Sequence, residues 1–241
     1  MLRRLIAILC WPVLWFLFSQ EHWWFLLLKP LAAPGQAVLF ERVSLVNAAL
    51  NHMFIVLSAI TGVILIGLPV ALWTTRQSGK AFLPIVSNTV AVSQTFPPIA
   101  ILFLATPVFG FGPMAIIIAL FIYGLMPCVH GALTGLKQVP IDAKESAKGM
   151  GMGDFQLLQK IEFPLALPAI LSGIRTSLIL LIATATLAPM VGGTSLGTPI
   201  IVGLTVNNSA QVLEGAIPVA LIAIAADYTL RVVEQWATPW R

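Results

Sequence analysis

The side chains most able to act on something outside this chain lie between Lys137 and Glu162. Eight of the 22 charged residues fall there (Lys137, Asp142, Lys144, Glu145, Lys148, Asp154, Lys160 and Glu162), and both flanks are apolar. The pattern does not suit catalysis. A phosphate-cradling G-x-x-x-x-G-K-[ST] run is absent, and Ser78-Gly79-Lys80 only echoes its end. Gly149-x-Gly151-x-Gly153 superficially has the spacing of a dinucleotide loop, but no strand precedes it. Ser172 and Ser177 have no His or paired Asp at matching depth for a protease site, and Cys10 and Cys128 have no His or Cys at metal spacing. No catalytic residue, metal ligand or cofactor is assigned.

The pattern suits docking. Asp142 is placed to cap a short helix, with Glu145 three residues on reaching back. Gly149, Gly151 and Gly153 break that helix, and Gly151 is expected at positive φ. Asp154 is expected to cap a second short helix whose Phe155, Leu158 and Ile161 share one face, with Pro164 ending it. Between two membrane spans such an apolar face has no core of its own, so its simplest use is to sit in a groove on a partner.

The elements around this segment are set by composition. The chain is 59% hydrophobic and 9% charged, with mean hydropathy +0.96, where soluble domains are about a quarter charged. This is an all-α integral membrane protein in a lipid bilayer. A net charge of +4, widely dispersed, excludes a nucleic-acid stripe and reads as positive-inside bias. Cys10 and Cys128 read as buried small hydrophobes.

Six spans are expected. Arg3 and Arg4 precede the apolar run Leu5–Phe18. A signal peptide would begin this way, but Trp11, Trp15, Trp23 and Trp24 suit a retained helix running to about Gln20, with Trp23–Leu28 along the outer interface. Residues 1–45 thus form an N-terminal span and an external loop, and 46–241 a core. Core spans are expected near 54–73, 83–106, 114–135, 165–188 and 213–233, with the charged loop at 137–164. With the N-terminus inside, ten basic residues lie on the inner side (Arg3, Arg4, Arg76, Lys80, Lys137, Lys144, Lys148, Lys160, Arg231 and Arg241), only Lys29 and Arg42 outside, and Arg175 within the membrane. That asymmetry places the loop and both termini in the cytoplasm.

Several features inside the spans are candidates for a pathway or gate. Arg175, about ten residues into the fifth span, would cost roughly 2.5–3.5 kcal/mol near mid-membrane unless it faced the bundle interior or water. It shares a stripe with Ser172, Thr176, Ile179, Ala183 and Thr186, which suits a pathway wall or subunit interface; alternatively Arg175 pairs with loop carboxylates. Ser93-Gln94-Thr95-Phe96-Pro97-Pro98 interrupts the third span, as a gate or as a packing kink with Gln94 and Thr95 as buried polar groups. Phe96 offers a cation–π face. Gly197, Thr198 and Pro199 open an apolar stub, Ile200–Leu204, that reads as a half-inserted segment or as an ordinary external loop. Asp227 and Arg231 are four apart and can pair. His52, His130 and Glu214 are placed near span ends as anchors, and Gly131-x-x-x-Gly135 permits close helix packing.

The central loop resembles the cytoplasmic signature of permease subunits of ATP-binding-cassette importers: Glu-Ala-Ala, three residues, Gly, nine residues, Ile-x-Leu-Pro. Here the motif reads Glu145-Ser146-Ala147, Gly151 and Ile161-Glu162-Phe163-Pro164, with the spacing kept, Ser for the middle Ala and Phe for Leu. In length and in the phrases SQTFPPIA, AKGMGM and LGTPIIVGL the chain is similar to osmoprotectant importer permeases for glycine betaine, choline or carnitine. The resemblance implies a type I importer fold and a coupling helix seated in an ATPase subunit. Glu145, Ala147, Gly151, Asp154, Phe155, Leu158, Ile161 and Pro164 then carry the coupling. It further implies a second permease subunit, identical or paralogous, a separate periplasmic binding protein, and residence in the bacterial inner membrane. A permease for another small solute such as an amino acid is the alternative. A secondary transporter would show repeated halves and ion-coupling carboxylates, which are not evident.

Overall fold

In the computed structural model, which describes residues 2–93 and 95–239, the chain is helical with no strand among those residues. Helices α1 (Leu2–Ser19) and α2 (Glu21–Leu28) meet at a bend of 72°. Trp24 Nε1 donates to the Leu17 carbonyl across the corner at 2.9 Å, holding it. Helix α3 (Leu45–Gly62) starts nine residues before the expected Phe54, because Ser44 caps it by accepting the Asn47 N–H. In its first turns Leu45, Ala48, Ala49 and His52 face the bundle interior, while Asn47 and Asn51 stay exposed; His52 is fully buried. His52 is therefore a core residue two turns into a span, rather than an anchor at a span end.

A π turn at Val63–Gly67 links α3 to α4 (Leu68–Thr74). A second, at Leu158–Glu162, lies further along the chain. Each ends two residues before a proline, Pro69 and Pro164. A proline in a continuing helix lacks the N–H for the carbonyl four residues back and crowds it; a wider turn absorbs the mismatch without ending the helix. The expectation that Pro164 stops the loop helix is therefore corrected: one helix of 38 residues runs from Asp154 to Val191.

The remaining elements are α5 (Leu83–Ser93), α6 (Pro98–Phe109), α7 (Pro113–Lys137), α8 (Ile141–Gly149), α9 (Asp154–Leu157), α10 (Phe163–Thr184), a 3₁₀ segment (Ala185–Val191), α11 (Gly197–Thr205) and α12 (Ser209–Ala237). Four helices among the described residues are long and apolar enough to cross a membrane, and the bent α1–α2 pair makes a fifth. The expected third span is a broken pair, α5 and α6, neither long enough alone. The six expected spans are thus four long helices, the bent α1–α2 pair and this broken pair, whose interruption the Ser93–Pro98 segment predicted.

The core centres on α3, α7, α10 and α12, where Val56, Ile116, Leu120, Leu181, Ile182 and Ile222 are buried together. α7 and α10 touch backbone to backbone: a Cβ on Gly131 would lie 2.7 Å from the Gly173 Cα, and one on Gly173 2.7 Å from the Pro127 carbonyl. A second cluster, with Ala71, Leu136, Val139 and Ala166, anchors the root of the charged loop. α1 runs antiparallel to α12: Trp11 Nε1 donates to Thr229 Oγ1 at 3.2 Å, and Arg3 Nη1 to Gln235 Oε1 at 3.4 Å. Residues near both chain ends therefore share one end of the bundle.

Candidate functional site

The loop expected to dock forms a helical hairpin at that same end. α8 begins at Ile141 after an extended Pro140, with no side-chain cap, so Asp142 lies inside the first turn and makes no capping box with Glu145. Its carboxylate still meets the positive end of the helix dipole. Likewise Gly153, not Asp154, is the N-cap of α9, and Asp154 is the first helical residue. Gly151 has φ +82°, and the Met152 N–H returns to the Ala147 carbonyl at 3.1 Å, closing α8 with a left-handed glycine. Ala147 is buried against the hairpin, whereas Glu145 and Asp154 are exposed.

The apolar residues of the hairpin divide differently from the expected single face. Phe155 is 74% exposed, Leu158 and Ile161 are half-buried, and Leu157 turns inward. The exposed face is instead built by both arms: Ile141 at 69%, Met150 at 71% and Phe155 at 74%. Ile141, Phe155 and Leu158, with Glu145, Lys148 and Asp154, line a cleft of about 830 Å³. Pro164, half-buried, sits where the helix enters the bundle.

Beneath the cleft lies a residue that the sequence signature does not mark. Glu162 is 5% exposed and receives two cations, Arg76 Nη2 at 2.6 Å and Lys144 Nζ at 3.2 Å. The Arg76 contact is a charge pair off the line of a hydrogen bond. Three elements thus converge: the end of α4, α8 and the π turn before α10. Lys144 and Glu162 both lie in the loop by sequence, but Arg76 does not, and nothing in local spacing pairs residues 76 and 162.

An open groove of about 520 Å³ runs along the α7–α10 crossing, walled among others by Tyr123, His130, Thr134, Ser172 and Thr176. Tyr123 was missed and His130 was read as an anchor; their spacing of seven on one face of α7 was the available signal. His130 is exposed on this face of α7 rather than set at a span end. Thr176 bonds back to the Ser172 carbonyl at 2.9 Å. Arg175 turns away from them and pairs with Asp227 at 3.6 Å and Glu234 at 3.8 Å on α12, while Arg231 meets Asp227 at 2.7 Å. Arg175 thus has carboxylate partners, on the last helix rather than the loop. Arg175, Glu234 and Gln138 line a second cavity of about 580 Å³ that shares Ala169 and Ser172 with the first.

At the break in the third span, Gln94 lies outside the described residues. Thr95 is exposed and its N–H turns back to the Val92 carbonyl at 2.9 Å, so it is not the buried polar group expected. Phe96 is 48% exposed, Pro97 is extended and Pro98 opens α6. Gly197 and Thr198 start α11, which packs on α12. A Cβ on Gly197 would collide with the Thr186 backbone carbonyl, and Thr198 Oγ1 accepts the Ser195 N–H at 3.2 Å. Buried Ser195 donates to the Ala185 carbonyl at 2.9 Å, so this corner is tightly tied. Glu214, a buried residue of α12, accepts the Phe40 N–H at 2.8 Å.

The described residues form an apolar helical bundle with an exposed charged hairpin, and the comparisons give the family. Residues 64–239 match the family described as "Binding-protein-dependent transport system inner membrane component", and the chain belongs to that family. It is a multi-pass permease component of an ABC transporter, in which ATP hydrolysis is carried by a separate subunit. The chain is 39% identical over 189 residues to the "Glycine betaine/carnitine/choline transport system permease protein OpuCB" of Bacillus subtilis (strain 168), covering 78% of this chain and 86% of that one. To the "Osmoprotectant import permease protein OsmY" of Salmonella typhimurium it is 34% identical over 190 residues, covering 79% and 80%. Its fold is similar to that of an inward-facing structure of the MetNI methionine ABC transporter, with TM-score 0.71 at 20% identity over 80% of this chain and 95% of that one. The fold is that of a type I importer permease.

Proposed function

We propose that this chain is the membrane-spanning subunit of an ATP-driven importer that carries a small osmoprotectant of the glycine betaine, choline or carnitine class across the bacterial inner membrane. The observation that carries the coupling role is the exposed apolar cluster of Ile141, Met150 and Phe155 on a charged hairpin. Such residues stay out of water only when a partner covers them. The hairpin seats in an ATPase subunit, with Phe155 and the rim of the 830 Å³ cleft as contact and Glu145 and Asp154 offered to basic residues there. Gly151 sets the angle between the arms, Ala147 and Leu158 pack beneath, and Ile161 and Pro164 pass movement into α10 through the π turn. The Glu162–Arg76–Lys144 cluster keeps hairpin and bundle moving together.

The α7–α10 face, with Tyr123, His130, Ser172 and Thr176, is the wall across which a second permease subunit, identical or paralogous, encloses the pathway. The Thr95–Pro98 break and the Gly197–Thr198 corner serve as gate elements. A binding protein delivers solute at the opposite end from the hairpin, and both chain termini lie in the cytoplasm. Residues 1–45 form an accessory N-terminal unit on the core at 46–241. The support for the solute class is the printed function of the two relatives above.

The test is uptake of labelled glycine betaine, carnitine and choline by cells with and without this subunit, alongside Phe155→Asp. Loss of osmoprotectant uptake without the subunit, and in Phe155→Asp at unchanged membrane abundance, is expected. Undiminished uptake in Phe155→Asp would remove the hairpin from coupling.

A further inference from the structure

At the hairpin end, α1 and α12 leave a slot of about 240 Å³ between them that shares no lining residue with the α7–α10 groove. Helix α1 lies outside the region 64–239 that the family covers, so the slot is made by the N-terminal helix against the core. Its walls are two facing rows: Arg4, Ala7 and Ile8 on α1, and Val232, Val233 and Trp236 on α12, each row spaced for one side of a helix. Thr229 stands at the deep end, where its hydroxyl accepts from Trp11 Nε1 and donates to the Ala225 carbonyl at 2.7 Å. The slot therefore offers apolar walls along its length and a single charged side chain, Arg4, at its mouth.

That mouth is positive and uncompensated. Arg76, Arg175 and Arg231 each meet a carboxylate. Among the described residues Arg4 meets none, and neither does Arg3 beside it, whose guanidinium reaches only the neutral Gln235. The acids of this part of α12, Asp227 and Glu234, face away from the slot towards Arg175 of α10. The mouth also has a level in the bilayer. Trp236, in the last turn of α12, is 65% exposed beside Arg4, and an indole and a guanidinium side by side settle among lipid headgroups. Ile8, 71% exposed, and Val233 then lie deeper, along the acyl chains. A soluble anion would find one guanidinium and no further donor. An uncharged lipid would leave Arg4 without a counter-charge. A phospholipid with a net negative headgroup satisfies both parts, since basic pockets between spans suit such headgroups.

We propose that the α1–α12 slot holds one anionic phospholipid, its phosphate on Arg4 beside Trp236 and an acyl chain between Ile8 and Val233. The lipid completes the packing of α1 on α12, which protein contacts alone leave open along this face. The site needs only a bilayer and does not depend on the transport reading; that reading would merely name its leaflet as the inner one.

The experiment is native mass spectrometry of the full-length chain titrated with phosphatidylglycerol or with phosphatidylethanolamine of the same acyl chains. Glycerol phosphate serves as a competitor without tails. A saturable phosphatidylglycerol adduct is expected, held about fivefold more tightly than phosphatidylethanolamine, the worth of one basic side chain against an anionic headgroup. Arg4→Gln, a change at an exposed residue, should bring phosphatidylglycerol down to the phosphatidylethanolamine level, whereas Arg4→Lys should keep most of the preference. Val233→Trp, which fills the slot and leaves the charge, should weaken both lipids; Arg4→Gln decides the matter if that variant does not fold. Three results would overturn the proposal: equal retention of the two lipids by the unaltered chain, which is ordinary boundary lipid; a preference for phosphatidylglycerol that survives Arg4→Gln; or displacement of the lipid by glycerol phosphate as effective as by phosphatidylglycerol itself.

Discussion

Glu162 is the residue on which the inner end of the bundle turns. Its carboxylate is buried between Arg76 and Lys144, whose side chains are 25% and 29% exposed. Removing it leaves two cations facing each other in a partly dry site. Glu162→Ala should therefore destabilise the chain by about 3 kcal/mol at most, less to the extent that water screens the open flanks of the cations. The thermal unfolding midpoint in detergent reads this. A double-mutant cycle with Arg76→Met should show a coupling of at least about 0.5 kcal/mol; an additive pair would mean that the contact does not hold the hairpin. Arg175 makes a parallel case. Paired with Asp227 and Glu234, it should tolerate Lys poorly, because an ammonium cannot span two carboxylates as a guanidinium does. Arg175→Lys should lower the unfolding midpoint, whereas Thr176→Val, which loses only a bond back to its own helix, should not.

At the scale of elements, two helix relationships carry the design. The first is the α7–α10 crossing, where Gly131 and Gly173 bring backbones into contact. A leucine at either position cannot be fitted by moving a side chain, since the neighbours are main-chain atoms. Gly131→Leu should therefore abolish stable accumulation in the membrane, read by immunoblot, whereas Gly149→Ala, which has open space around it, should be neutral in the same assay. The second is the hairpin angle at Gly151, whose φ of +82° an L-residue adopts only with strain of about 1–2 kcal/mol. Here nothing crowds the position, so strain is the whole effect. Gly151→Ala should leave the protein folded and slow uptake, and Gly151→Pro, which cannot reach positive φ, should abolish uptake at normal abundance.

For the whole molecule, the geometry joins facts that no single helix contains. Arg3 beside Gln235, Arg175 beside Glu234 and Arg76 beside Glu162 put both chain-terminal regions and the hairpin at one end. That end also carries Lys137, Lys144, Lys148 and Lys160. A membrane-impermeant thiol reagent should label Phe155→Cys only in inside-out vesicles, in a background with Cys10 and Cys128 replaced by Ala. Labelling of intact spheroplasts would invert the topology. The purified chain alone should show no ATPase activity, with activity appearing when an ATPase subunit is co-expressed.

What the sequence by itself determined follows from forces that act locally or on averages. Apolar runs and the basic-residue asymmetry specified a membrane protein with its charged loop on one side, because desolvation cost depends on composition. The signature from Glu145 to Pro164 marked that loop because spacing along a chain survives in sequence. Gly151 at positive φ was legible because three glycines leave few conformations. What only the tertiary structure decided depends on residues distant in the chain. Helix continuity through Pro69 and Pro164 hung on π turns supported by packing. The start of α3 at Leu45 hung on the Ser44 cap and on a face of Leu45, Ala48, Ala49 and His52 that the bundle covers. The caps assigned to Asp142 and Asp154 failed because Pro140 and Gly153 set the backbone two residues and one residue earlier. Which carboxylate meets which cation (Glu162 with Arg76 and Lys144, Arg175 with α12) was invisible, since electrostatic partners are chosen by distance in space, and only the folded bundle brings those positions together.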